Sequence, residues 1–333
     1  MSVNTEDRPV TASRRSTLRK ILVPLDGSTL AEEALSVAGP IAHRTGAEIH
    51  LMSVQPPALS AGAQFGLADT DAQPVYGERE HIEAYLAMMA ARLARVEGVH
   101  AVPAVLEGSP SDLLTQYAKA AQIDLIVMTT HGRGGFSRLC LGSVADDLVR
   151  RVTVPVLLLR HGAHPDGAKF RRIVVALDGT EQSERSLGPA LGLGATDDVQ
   201  YTLVRVVQPL PPPMVTPVGL YPPTDRDTIE QLAEQAGSYL EKVAGGLRAQ
   251  GLAVETRVLV GRAADEVVGL AEKDHAQLIV VGTRAARGVD RLLLGSVADL
   301  VVRGATQPVL VVPPGRLPTG SGGKAEHAAV ANG

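Results

Sequence analysis

Two aspartates each follow a short apolar run and precede a glycine and a hydroxyl residue. Asp26 ends the run ILVPL, and Asp178 ends IVVAL. Further along each half of the chain, another apolar run leads into a loop rich in glycine and arginine, at 129–143 and 282–296. A carboxylate accepts hydrogen bonds from hydroxyl and amine groups, whereas glycine-rich backbone brings N–H groups close to an anion. The two chemistries together predict a ligand with a sugar or base at one end and phosphate at the other, which describes a nucleotide.

The closing Gly-Ser of each loop is predicted to enter a helix. N–H groups at a helix N-terminus lack internal partners, and the helix dipole attracts negative charge. Ser143 and Ser296 either donate a hydroxyl to a phosphate or cap their own helices. Positive charge near the loops comes from Arg133, Arg138, Arg284, Arg287 and Arg291. The alternative is that Gly132, Gly142 and Gly295 merely form tight turns.

The chain is an internal repeat. ILVPLDGS at 21–28 returns as IVVALDGT at 173–180, and residues 141–159 align with 294–312 at 12 identities in 19 positions. A period near 150 residues is the size of a domain and is too long for a solenoid. The sequence therefore predicts a duplicated domain.

Strand-like and helix-like segments alternate five times in each copy. In the first copy the apolar runs are 21–25, 49–54, 101–106, 124–130 and 154–159. This alternation predicts an α/β fold made of two doubly wound domains, each a five-stranded parallel sheet with helices on both faces. Ligands of such sheets bind outside the carboxyl ends of the strands, where the aspartates and the glycine-rich loops would meet.

Composition changes along the chain suggest domain limits. We expect domains at 19–160 and 170–314, joined by the Gly-, Pro- and His-containing linker 161–169. The segments 1–18 and 315–333 are polar or Gly/Ala-rich without periodicity, and we expect both to be disordered tails.

Charge and composition exclude several classes of protein. Lys plus Arg is 32 and Asp plus Glu is 36, a net charge of -4, which disfavours a nucleic-acid binder. No apolar run reaches the roughly 18–20 residues that span a bilayer, and the N-terminal segment does not have the pattern of a secretory signal. The single cysteine, Cys140, excludes an internal disulfide. We therefore expect a cytoplasmic protein without membrane contact.

Catalytic and metal motifs are not apparent. The chain contains neither GxxxxGK[ST] nor GxSxG. His131 would flank the anion loop of the first copy, but Arg284 holds that place in the second, which favours a phosphate contact over a general base. No dedicated metal cage is visible. Cys140 reads as a buried small residue rather than a redox sensor, since Leu293 replaces it in the second copy.

These features resemble the universal stress protein family. The residues that carry the resemblance are VPLDGS (23–28), ALDGT (176–180), the two glycine-rich loops and the closing LGSVAD before PVL. Nucleotide-binding members carry Gly, two residues, Gly, nine residues, then Gly and Ser or Thr. Here the first copy has Thr129 in place of the first glycine, and the second copy has Ala285 in place of the second.

The resemblance implies an adenine-nucleotide α-hydrolase-like fold with strand order 3-2-1-4-5 and an ATP site in each copy. Adenine would pack against residues beside each aspartate and at the end of strand two, and strand four would frame the base. A magnesium ion would accompany the phosphates. In the first copy the expected site residues are Pro24, Leu25, Asp26, Val54, Met128, Thr129, His131, Gly132, Arg133, Gly142, Ser143 and Val144. In the second copy they are Ala176, Leu177, Asp178, Val206, Val281, Gly282, Arg284, Ala285, Gly295, Ser296 and Val297.

The expected function is nucleotide-dependent regulation or sensing in a stress response, with two ATP sites of unequal affinity and at most weak hydrolysis. The apolar final strands, PVLLL and PVLVV, need partners and could pair with each other inside the chain. A homodimer of tandem chains and an unidentified regulatory protein are the expected partners. The alternatives are a dimeric interaction scaffold that binds no nucleotide, and a slow ATPase.

Overall fold

The computed structural model describes nine stretches of the chain, namely residues 18–55, 76–130, 141–162, 169–194, 198–209, 215–216, 219–220, 226–283 and 294–314. The central parts of the two glycine-rich loops, with Cys140, lie outside these stretches, as do 1–17 and 315–333. None of the described helices is long and apolar enough to cross a membrane.

The first half of the chain alternates strands with helices. Its strands are β1 (Lys20–Pro24), β2 (Glu48–Gln55), β3 (Ala101–Glu107), β4 (Leu125–Thr129) and β5 (Val156–Leu159). Its helices are α1 (Thr29–Thr45), α2 (Tyr76–Glu97), α3 (Pro110–Ala120) and α4 (Ser143–Val149). Every predicted strand lies within two residues of an observed one, because apolar runs bounded by polar residues suit strands that are buried on both faces.

The second half follows the same order with one addition. Its main strands are β6 (Arg172–Ala176), β7 (Gln200–Val207), β10 (Ala253–Val260), β11 (Leu278–Gly282) and β12 (Val309–Val312). Its helices are α5 (Glu181–Glu184), α6 (Leu187–Leu193), α7 (Arg226–Arg248), α8 (Ala263–Lys273) and α9 (Ser296–Gly304). The additional short strands β8 (Val215–Thr216) and β9 (Gly219–Leu220) pair antiparallel with each other and lie between β7 and α7 in the chain.

The second copy does not repeat the single helix α1. Two short helices, α5 and α6, replace it, with a break at 185–186. Pro189 has no N–H to donate to the carbonyl of Arg185, and its ring would clash with that carbonyl in a continuous helix. The buried Ser186 hydroxyl donates instead to the carbonyl of Ser183 at 2.5 Å.

The ten main strands form one sheet in the order β10-β7-β6-β11-β12-β5-β4-β1-β2-β3. Each half therefore has the order 3-2-1-4-5, and neighbouring strands within each half are parallel. The predicted class of two tandem doubly wound α/β domains is confirmed. In each half the strand order reverses between the first and fourth strands, which is where such sheets bind ligands.

The two halves meet through their final strands. β12 runs antiparallel to β5, with Leu310 opposite Leu157 at the centre. The structure thus shows one of the pairings open to PVLLL and PVLVV, the one within the chain. This pairing relates the halves by a pseudo-twofold axis and protects two apolar edges.

Two apolar layers cover the faces of the sheet. Helices α1, α2, α6 and α7 pack on one face, and α3, α4, α8 and α9 pack on the other. Each layer is one cluster that contains buried residues from both halves, such as Leu86 and Leu240 in the first and Leu148 and Val301 in the second. The cores are built from Val, Leu, Ile and Ala, as the low aromatic content requires.

Four charged residues link α4 to α9 across the pseudo-twofold axis. Arg150 pairs with Asp146 of its own helix at 3.0 Å and with Asp299 at 3.5 Å. Arg303 pairs with Asp299 at 2.9 Å and with Asp146 at 3.7 Å. We call these four residues the interdomain charge cluster.

Candidate functional site

Each site aspartate is held in a tight turn between the first strand and the helix that follows. Oδ1 of Asp26 accepts hydrogen bonds from the Ser28 N–H at 3.0 Å and the Ser28 hydroxyl at 2.6 Å. Ser28 in turn caps α1 by accepting from the N–H of Ala31 at 3.1 Å. Asp178 and Thr180 repeat the first two bonds at the same distances. These bonds fix each carboxylate at the carboxyl end of its strand.

The glycine after each aspartate is required by the backbone. Gly27 has φ +79° and Gly179 has φ +88°, a region that other residues adopt at a cost. The Asp-Gly pairs in the sequence therefore shape the turn, in addition to the contact with a ligand that is predicted for the aspartates.

The first cavity lies at the switch point of the first half and has a volume of about 180 Å³. The nine described residues predicted for this site all line it: Pro24, Leu25, Asp26, Val54, Met128, Thr129, Gly142, Ser143 and Val144. The sequence did not single out the remaining lining residues, which are Ala31, Met52, Pro110, Leu114, Thr130 and Ala145.

The second cavity occupies the equivalent place in the other half and is larger, at about 340 Å³. Again nine described residues of the predicted set line it: Ala176, Leu177, Asp178, Val206, Val281, Gly282, Gly295, Ser296 and Val297. The residues that the sequence did not indicate are Ser183, Val204, Arg205, Gln208, Ala263, Val267 and Ala298. The internal repeat could have indicated one pair of these missed residues, because Leu114 and Val267 are equivalent residues 153 positions apart.

The remaining predicted residues lie outside the described part of the chain. They are His131, Gly132, Arg133, Arg284 and Ala285. The nearby arginines Arg138, Arg287 and Arg291 also lie outside it.

The helices that close the two loops begin at glycine caps. Gly142 and Gly295 are the N-cap residues, so Ser143 and Ser296 occupy the first helical position and make no side-chain cap. The alternative in which these serines cap their own helices is therefore wrong: a residue already inside the helix is past the N-cap position, from which a side chain reaches the free N–H groups. Their side chains instead line the two cavities, beside backbone N–H groups that have no partner within the helix.

The protein's own packing does not demand a glycine at the end of the fourth strand. A Cβ added to Gly282 would lie 3.5 Å from Cα of Ser183, which is an ordinary contact. The equivalent residue in the first half, Thr129, is accommodated and buried. The departure at Thr129 is therefore compatible with the fold.

A tyrosine–glutamate pair stands beside each aspartate turn. The Tyr85 hydroxyl donates to Glu32 at 3.2 Å, and the Tyr239 hydroxyl donates to Glu184 at 3.0 Å. Burial, followed by the neighbouring glutamate, raises the pKa of each tyrosine well above its usual range. Both phenols therefore stay neutral at physiological pH, and the pairs were not apparent from sequence because their members lie more than 50 residues apart.

Among the described residues, no group of three or more His, Cys, Asp or Glu side chains is arranged to hold a metal ion. Neither cavity has a histidine or lysine among its described lining residues. The described parts of the two cavities thus offer carboxylate, hydroxyl and backbone groups over an apolar floor, with one arginine in the second.

Comparison with known sequences defines the class of protein. The sequence model of the universal stress protein family matches residues 17–160 and again 169–313. The chain belongs to the universal stress protein family and carries two copies of its domain.

Individual relatives agree with this assignment. A universal stress protein of Mycolicibacterium smegmatis is 28% identical over 296 residues, covering 88% of this chain and 97% of the relative. One from Methanocaldococcus jannaschii is 35% identical over 145 residues, covering 43% of this chain and 82% of the relative. The crystal structure of a universal stress protein from Archaeoglobus fulgidus superposes with a TM-score of 0.66 at 22% identity, covering 92% of this chain and all of that one, which shows a shared fold.

Proposed function

We propose that each cavity binds one molecule of ATP and that the protein acts as a nucleotide-dependent regulator in a stress response. The observation that carries this proposal is the cavity at each switch point, lined in both halves by the residues that the nucleotide motif predicts. A scaffold without a ligand would have no need of two matching cavities beside matching Asp-Gly turns.

The proposed orientation follows from the polarity of the cavities. The phosphates would lie toward Ser143 and Ser296, where helix N–H groups and the helix dipole favour an anion. Asp26 and Asp178 would repel phosphate and instead accept from ribose hydroxyls or the adenine amine. Val54 and Val206 would pack against the base. A magnesium ion would neutralise the phosphates, and Asp26 or Ser143 offers an oxygen for it in the first site.

The two sites are expected to differ in affinity. The second cavity falls within the range of about 300–1,000 Å³ that is typical of small-molecule sites, whereas the first is smaller. The first copy also has Thr129 at the end of its fourth strand, where the second has Gly282. We therefore propose that the second site is the tighter one.

Binding rather than turnover is the proposed event. Hydrolysis needs a positioned base or a group that orients water. In the described lining of each cavity the acidic side chain is an aspartate whose Oδ1 is already held by the turn to the next helix. A bound nucleotide would act by favouring one state of association, either with a second copy of the chain or with a regulatory protein. We propose that this takes place in the reducing environment of the cytoplasm.

Titration calorimetry with ATP on the full chain tests this proposal. We expect two sites, with Asp26→Ala weakening one and Asp178→Ala the other by about tenfold, because each loses a hydrogen bond to a charged acceptor. Asp26→Asn and Asp178→Asn keep a side-chain oxygen that can accept the hydrogen bonds of the turn. They show whether a loss of ATP affinity in the alanine variants is caused by unfolding of the turn.

The control is Asp265→Ala, which removes an exposed carboxylate paired with Arg262 outside both cavities, and it should bind ATP like the parent. Failure to detect adenine-nucleotide binding at millimolar concentration would overturn the proposal. Absence of ATP binding would favour the interaction scaffold, and unchanged ATP affinity in both site variants would show that the aspartates do not contact the nucleotide.

A further inference from the structure

The two copies differ in charge at the end of the second strand. Met52 on β2 pairs with Pro24 on β1, and Val204 on β7 pairs with Ala176 on β6, so the next residues, Ser53 and Arg205, are equivalent. Ser53 is buried, whereas Arg205 is partly exposed and lines the second cavity. The second copy has thus gained a permanent positive charge where the first has a hydroxyl.

The guanidinium of Arg205 has two close neighbours. Its central carbon lies 5.2 Å from the centre of the Tyr239 ring, a cation–π contact. The guanidinium also lies close to Gly179, where an added Cβ would be 3.0–3.1 Å from its carbon and its two terminal nitrogen atoms. Tyr239 is itself fixed by its hydrogen bond to Glu184. The arginine is therefore preorganised, and its contact in the described part of the chain is an aromatic ring rather than a carboxylate.

The first copy has the same turn and tyrosine–glutamate pair without an arginine on its second strand. Tyr85 and Glu32 form the equivalent pair at 3.2 Å, and Gly27 follows the aspartate with a positive φ. A different arginine, Arg92 of α2, approaches Glu32 at 3.7 Å there, from an exposed position that is not part of the described cavity lining. Arg205 differs because it lines the cavity, and this position points to a ligand.

Arg205 lies beside Val206, the proposed contact of the base, and its guanidinium lies close to Gly179, the residue that follows the proposed ribose partner Asp178. β7 is two strands away from β11, whose following loop leads to Ser296, so about 10 Å of sheet separates the arginine from the proposed phosphate end. Between them lies Asp178, the proposed partner of ribose hydroxyls. In nucleotide-binding α/β proteins, an arginine near the ribose accommodates a phosphate on that sugar, because its planar guanidinium matches phosphate oxygens.

We propose that Arg205 makes the second cavity selective for adenosine nucleotides that carry a phosphate on the ribose 2′ or 3′ oxygen in addition to the 5′ phosphate. The first cavity, whose described lining contains no arginine, has no such preference. This inference rests on the proposed function and assigns the two sites different ligands.

Calorimetry on the full chain tests the inference, with Asp26→Ala to weaken the first site. Adenosine 3′,5′-bisphosphate, adenosine 2′,5′-bisphosphate and AMP are titrated at one ionic strength, since all three share the 5′ phosphate. We expect one of the bisphosphates to bind the second site about tenfold more tightly than AMP, and which one does so identifies the ribose oxygen. Arg205→Ser, which copies the first site, should reduce this ratio to near one.

The matched control is Arg257→Ser, which removes an exposed arginine of β10 that pairs with Glu255 outside the cavity. It should keep the parent's ratio of bisphosphate to AMP affinity. Binding of AMP and ATP with no preference for either bisphosphate would overturn this inference and leave the proposed function standing. A preference that survives Arg205→Ser, or that Arg257→Ser abolishes equally, would also overturn it. If no adenine nucleotide binds, the proposed function and this inference fail together.

Discussion

Individual residues at the site serve both the fold and the proposed ligand. Asp26 accepts two hydrogen bonds from Ser28, which then caps α1, and Gly27 supplies the positive φ that lets the chain turn. Part of any effect of mutating these residues will therefore be structural. Stability and binding must be measured separately for each site variant.

The first prediction concerns the glycine of the turn. Gly27→Ala should lower the free energy of unfolding by about 1–2 kcal/mol, because alanine is strained at φ +79°. Urea unfolding followed by circular dichroism measures the change.

Gly245→Ala is the matched control for the same substitution. Gly245 lies on the exposed face of α7, and an added Cβ there meets nothing within 4 Å. Alanine should therefore raise stability by up to about 1 kcal/mol through helix propensity. Equal effects of the two substitutions would show that the turn conformation is not the cause.

At the scale of elements, α4 and α9 begin at the two cavities and meet across the pseudo-twofold axis. The interdomain charge cluster joins them, and its four side chains are each about one quarter to one third exposed. Partly exposed ion pairs contribute little individually. Most of the attachment must come from β5, β12 and the apolar layers.

The double variant Asp146→Asn/Asp299→Asn tests the cluster. It removes both cross-axis ion pairs and the two pairs within α4 and α9, so we expect a loss of about 1 kcal/mol that shrinks at high salt. Denaturant unfolding at two salt concentrations measures it. Glu83→Gln, which breaks the exposed Arg79–Glu83 pair on α2, should have no measurable effect. A double variant as stable as the parent at low salt would contradict the expectation.

Some elements follow from local sequence and others do not. The strands and the Asp-Gly turns were predictable because apolar runs and positive-φ glycines act locally. The break between α5 and α6 was not, since Pro40 lies inside the intact α1 while Pro189 accompanies a break. Arg205 was also not predicted as a site residue, because the position of its guanidinium depends on contact with Tyr239, which lies 34 residues away in sequence.

At the scale of the whole molecule, the two copies share one ten-stranded sheet and two continuous apolar layers. The pairing of β5 with β12 uses the edges through which separate domains could otherwise have associated. A homodimer of this chain would therefore need another surface.

This continuity predicts that both halves unfold together. Differential scanning calorimetry should show one transition whose calorimetric and van't Hoff enthalpies agree, since separating the halves would expose β5, β12 and both core layers. Two resolved transitions would mean that the halves are independent despite their shared sheet.

A crystal structure of the full chain grown with millimolar ATP tests the central claim most directly. The account predicts electron density for adenine beside Val54 and Val206, with the phosphates directed toward Ser143 and Ser296. Cavities filled by the protein's own side chains, or ATP bound only elsewhere, would contradict it.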